Sequence, residues 1–221
     1  MCYSSESSIS NYIYVTIVTL ILYLYGDKYD KHFSLSTLVV VQMQLAEYFM
    51  WKDQKCGIMN KLATLAATFL LFLQPLSIVL GGYLFKTVNM DTSNYILLLP
   101  FLIFYVLTYF ISFLNYSFKN KNICSGNKNG HLQWNFLNNG ESLNILDYYT
   151  TLFYFSVFFF YWLLLKNENL GIFNSVLIIF TFLFHYIRYP ENWTTMWCYY
   201  VSMAITIYIT ARLLDYKYGI F

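Results

Sequence analysis

Charge is what this sequence lacks most. Asp, Glu, Lys and Arg make up 11% of its 221 residues, against about 25% in soluble domains. That supply cannot cover a water-facing surface, so an ordinary soluble fold is excluded. The net charge is only +2. No basic run exists beyond the scattered Lys119, Lys121 and Lys128, and no nucleic-acid partner is expected. Histidine is limited to 3 residues and cysteine to 4. Neither His-x-x-x-His nor His-Glu-x-x-His spacing occurs, so no metal and no cofactor are expected. The opening MCYSSESSISNYIYVT lacks the basic n-region of a secretory signal, and the first apolar stretch reads as a retained span.

What the chain has instead is apolar length: 58% of it is hydrophobic and 22% aromatic. A helix needs about 20 residues to cross the hydrocarbon core. The hydropathy pattern predicts an all-α fold, a polytopic bundle of about seven transmembrane helices in one domain, residues 1–221. The predicted spans are 10–25, 33–51, 59–85, 95–113, 148–165, 171–187 and 193–214. These runs are continuous and do not alternate, which argues against a β-barrel. Pro75 should kink the third span, and Gly81-Gly82 should loosen its end. One long loop, 119–147, joins spans four and five. Its amphipathic piece, His131-Leu-Gln-Trp-Asn-Phe, predicts a cap or short interfacial helix with Trp134 and Phe136 at headgroup depth; the alternative is a disordered linker.

The second span, ending VVVQMQLAEYFMW at Trp51, carries Gln42, Gln44 and Glu47. A carboxylate in a bilayer needs a partner, a proton or a water-filled cavity. Val40, Gln44, Glu47 and Trp51 share one helical face, which should look inward with the other helices around it. Further polar stripes follow helical spacing, among them Asn60, Thr64 and Gln74 in the third span and Asn174, Thr181, His185 and Arg188 in the sixth. They read either as interhelical hydrogen bonding or as the lining of a polar cavity. On the cavity reading, Glu47 and His185 form an intramembrane site with Gln44, Gln74, Arg188 and His131 around it. On the structural reading, Glu47 pairs with Arg188 or His185 to fix helix register. Cys2, Cys56, Cys124 and Cys198 all fall on the side that holds the N-terminus, called side A here. If side A is oxidising, Cys56 and Cys124 form a disulfide; if it is cytosolic, they are free thiols. Lys and Arg are divided almost evenly between the two sides and do not orient the chain.

Seven spans suggest retinal proteins, but the last span has no Lys for a Schiff base. Seven-span hydrolases of the ceramidase and adiponectin-receptor type need a His pair that the last helix lacks. The run MQLAEYFMWKDQKCGIMNKLAT, the later LFLQPL and the segment ENWTTMWCYY resemble an uncharacterised multipass membrane protein family of nucleocytoplasmic large DNA viruses. The resemblance covers about half of the chain and implies a host-derived or virion inner membrane, but no reaction. Three functions stay open. One is a polar-cavity bundle that binds or transports a proton, ion or small solute. Another is a structural or assembly component of a viral or organellar membrane. The third is an intramembrane lipid-directed hydrolase. The expected partners are the lipid bilayer and other membrane proteins or further copies of the chain.

Overall fold

The computed structural model describes residues 4–119, 123–128, 130–134, 145–189 and 193–220. It is mostly helical. The helices are α1 (Ser5–Tyr25), α2 (Lys28–Lys52), α3 (Ile58–Phe85), α4 (Thr92–Lys119), α5 (Ile145–Phe160), α6 (Glu168–Arg188) and α7 (Trp193–Tyr218). Polar caps set where several of them begin. Ser4 accepts from Ser7 N at 3.2 Å, and Asn167 from Leu170 N at 3.1 Å. At the start of α2, Asp27 accepts from the amides of Tyr29 and Asp30, while Asp30 accepts from Asp27 N. These reciprocal bonds satisfy amides that have no partner inside the helix. They also start α1 and α2 several residues ahead of the apolar runs that announce them.

Between α4 and α5 stands an antiparallel hairpin of β1 (Ser125–Lys128) and β2 (His131–Trp134), with Ser125 opposite Trp134 and Lys128 opposite His131. This corrects the interfacial helix expected for His131-Leu-Gln-Trp. Leu132 and Trp134 are buried while His131 and Gln133 are half-buried, the two-residue alternation of a strand. Trp134, 1% exposed, is packed into protein and does not lie at a headgroup surface. Phe136 and Cys2 lie outside the described residues.

α2 is the most extensively packed helix of the fold. It packs against α1, α3 and α7, and its buried residues cover all of its circumference except the face of Lys31, Leu35, Leu38, Gln42, Leu45 and Phe49. Burial is inverted relative to a water-soluble domain. Buried positions include Asn11, Asp30, Gln44, Glu47, Asn60 and Gln74, whereas Ile17, Leu99, Phe104, Phe180 and Ile187 point outward. Four helices, Ser5–Tyr25, Ile58–Phe85, Glu168–Arg188 and the stretch Met196–Tyr218, are long and apolar enough to cross a membrane. Among the described residues, α2 is not one of these. Its polar residues are tolerable because its neighbours cover them.

α3 contributes its backbone to the packing as well as its side chains. Its carbonyls accept from residues on three neighbours: Ile78 O from His32 Nε2 at 2.8 Å, Val79 O from Tyr161 at 3.3 Å, Phe72 O from Tyr105 at 3.5 Å, and Thr68 O from Tyr109. Such bonds hold helices together where solvent offers no alternative. The helix continues through Pro75 to Phe85. Gly81 and Gly82 do not loosen its end; a Cβ at Gly81 would strike the His32 ring, and one at Gly82 the Tyr161 hydroxyl. Gly81→Ala should therefore cost about 1–3 kcal/mol through overpacking, read as a lowered melting temperature in micelles. Leu80→Ala, on the exposed face beside it, should cost far less. Equal melting of Gly81→Ala and the native chain would show that His32 is not seated on the glycine.

Candidate functional site

The polar interior is built first from α2. Gln44 and Glu47 are three residues apart on its inward face, and both are 0% exposed. Gln44 Nε2 donates to Glu47 Oε2 at 3.0 Å. α3 and α5 add a second pair, in which the Tyr154 hydroxyl donates to Gln74 Oε1 at 2.5 Å. α7 contributes the buried thiol of Cys198, which packs in one cluster with Met43, Ala46 and Met50 of α2. Gln44 Oε1 and Gln74 Nε2 are buried and have no protein hydrogen-bond partner among the described residues. Buried amides are nearly always satisfied, so these atoms offer one acceptor and one donor to a small polar guest such as water.

The remaining expected residues are placed differently. His185 is buried, but its Nδ1 donates to Thr181 O at 2.6 Å within α6, and its ring packs 4.2 Å from that of Tyr200. Its hydrogen bond thus stays within α6 and its closest ring contact is with α7. Arg188 is exposed and lies over the Tyr189 ring at 5.6 Å. A buried Glu47–Arg188 pair is therefore not what fixes the register of α2. His131 meets the Tyr189 ring edge-on at 6.0 Å, and His185 stacks on that same ring at 6.0 Å. Burial lowers the pKa of His131, which favours its neutral form. The structure thus forms two groups, Gln44–Glu47 with Gln74–Tyr154 in the interior and His131–Tyr189–His185 at the edge of side A. Among the described residues, no three or more His, Cys, Asp or Glu side chains are grouped to hold a metal ion.

The hairpin covers the interior from side A. Leu132 and Trp134 enter a cluster with Met43, Ala46, Met50, Ala63, Ala67 and Cys198, directly beside Gln44 and Glu47 in the α2 sequence. Two devices hold it there. Cys56 and Cys124 are joined as a disulfide with Cα atoms 5.6 Å apart. The Asn60 amide replaces a strand: its Nδ2 donates to Ser125 O at 2.8 Å, and its Oδ1 accepts from Ser125 N at 2.9 Å.

At the opposite end, side B, lies a cluster that sequence reasoning missed. Arg212 of α7 donates from Nε to Asp30 at 2.8 Å, and from its two terminal nitrogens to Asp27 and Asp215 at 2.6 Å each. Tyr208 donates to Asp30 Oδ1 at 2.9 Å and stacks on Phe33. The available signal was two runs of charge at span ends, Asp27 to Lys31 and Arg212 to Lys217, in a chain with little charge elsewhere. His32, one residue before the predicted second span, was also missed. Its Nε2 donates to Ile78 O, and its Nδ1 accepts from Thr87 at 2.8 Å, an arrangement that fits the neutral ring.

Comparison with protein-family models, with curated proteins and with solved structures finds no match.

Proposed function

We propose that the chain is a seven-span integral membrane protein whose polar interior binds and passes protons, with Glu47 as the carrier. The observation that carries this reading is the complete burial of Glu47 and Gln44 inside a helical fold whose exposed large side chains are mostly apolar. An intramembrane carboxyl is costly and marks proton relays and ion pathways. Tyr154, Gln74 and Cys198 add further polar groups inside the helices from α5, α3 and α7. The family resemblance supports a host-derived or virion inner membrane as its location.

The test is proton flux into proteoliposomes under an imposed pH gradient, read with an entrapped dye. Glu47→Gln keeps the size and the amide-bonding capacity of the side chain but removes its titratable proton. Flux should fall more than tenfold while the melting temperature stays within a few degrees. Equal flux in both proteins would sink the reading. A second reading, a structural or assembly component of that membrane, is favoured by the hairpin that closes side A. On that reading the native chain shows no flux above empty liposomes.

A further inference from the structure

At side B, α1 and α7 part to leave a cleft of about 530 Å3. Its walls are Val18, Ile21 and Leu22 of α1 facing Ile209 and Leu213 of α7. Its inner end is the arginine cluster of Asp27, Asp30, Arg212 and Asp215. Tyr25 and Tyr216 complete the lining, 84% and 94% exposed. Exposed tyrosines at helix ends are typical of the water–lipid boundary. The cleft therefore runs from hydrocarbon depth, where its walls are apolar, to headgroup depth, where its end is charged.

The sign of that charge identifies the guest. Three carboxylates face one guanidinium, a formal excess of two negative charges, and no lysine lines the cleft. Arg212 has a carboxylate on each of its three nitrogens, so it is already committed and does not invite a phosphate. Part of Asp27 remains open to the cleft; its side chain is 47% exposed. An ammonium group complements this end through charge-assisted hydrogen bonds and the neighbouring ring faces. An acyl chain complements the walls.

We propose that this cleft is a binding site for a phospholipid with a primary ammonium headgroup, of the phosphatidylethanolamine type. The ammonium rests on Asp27 and Asp215 between Tyr25 and Tyr216, and one acyl chain lies between α1 and α7. The site is distinct from the Glu47 interior, and the proposal rests only on the chain being an integral membrane protein.

The experiment is native mass spectrometry of the full chain released from micelles that contain either phosphatidylethanolamine or phosphatidylglycerol with identical acyl chains. The expected result is one retained phosphatidylethanolamine per chain and at least tenfold less phosphatidylglycerol. Asp27→Asn with Asp215→Asn cancels the charge excess and should lower phosphatidylethanolamine retention more than tenfold. Asn caps a helix as well as Asp does, so the start of α2 survives the change. Leu213→Trp fills the cleft without altering charge and should release the lipid to the same extent. Equal retention of the two lipids, or unchanged retention by both variants, overturns the site. A chain that stays dispersed as a monomer after detergent removal overturns the membrane reading itself, a different outcome from lost selectivity.

Discussion

Arg212→Met should destabilise this chain more than any other single substitution outside the hairpin, by about 3–5 kcal/mol, the range for breaking a buried ion pair from one side. The reason is Asp30. Its side chain is 8% exposed, and its Oδ1 accepts from both Arg212 and Tyr208. Without the guanidinium, Asp30 is left as a buried charge beside Asp27 and Asp215, and like charges then repel at the junction of α1, α2 and α7. Arg212→Lys keeps the charge but cannot reach three carboxylates in three directions, so its loss should be intermediate. The decisive measurement is a double-mutant cycle with Asp30→Asn, by denaturant unfolding in micelles. A coupling energy above about 2 kcal/mol identifies a desolvated network. A coupling below about 0.5 kcal/mol would mean that the cluster behaves as an exposed surface pair, and this account of the side-B junction would fail.

How much of this could be read in the sequence depends on the range of the interaction. The inward face of α2 was legible because Val40, Gln44 and Glu47 repeat at helical period within one short run, and all three are buried. The Trp51 end of that face is only half-buried, since the helix is running out there. The arginine cluster was illegible because Asp30 and Arg212 are 182 positions apart. Taken separately, each is simply a charge that ends a hydrophobic run. His32 and Gly81 belong together for a reason that no local pattern carries, namely a ring that occupies the space a side chain would need. The hairpin failed on length. His131-Leu-Gln-Trp is too short to separate a period of two from one of 3.6, and an apolar pair spaced two apart suits either. His185 is buried in α6, on the face that its spacing gives, but periodicity does not give the neighbour that the face meets. That neighbour is Tyr200.

Releasing the hairpin should have the other large effect. The disulfide closes a loop with a sequence separation of 68, and loss of a cross-link over that length costs about 4 kcal/mol in the chain-entropy model. Asn60 is 0% exposed, and its amide bonds to Met50 O and Asp53 O as well as to both backbone groups of Ser125. Asn60→Ala strands several of these groups, at about 1–3 kcal/mol for each buried one left unsatisfied. The two devices hold the same strand, so their effects should not add. Cys124→Ser alone should leave the hairpin docked through Asn60, and Asn60→Ala alone should leave it tethered through the disulfide. Only the double variant should free Leu132 and Trp134. The readouts are trypsin cleavage after Lys128 and a red shift in tryptophan emission, both small in the single variants and large together. If Cys124→Ser alone gives the full response, the amide pairing contributes nothing measurable, and the hairpin is held by its covalent link. The native protein, with its disulfide intact, also orients the membrane. A disulfide persists only in an oxidising compartment, so an impermeant maleimide should label Cys56 in sealed vesicles only after reduction and only when side A faces outward. Labelling without reduction would mean free thiols at side A and a hairpin that depends on Asn60 alone.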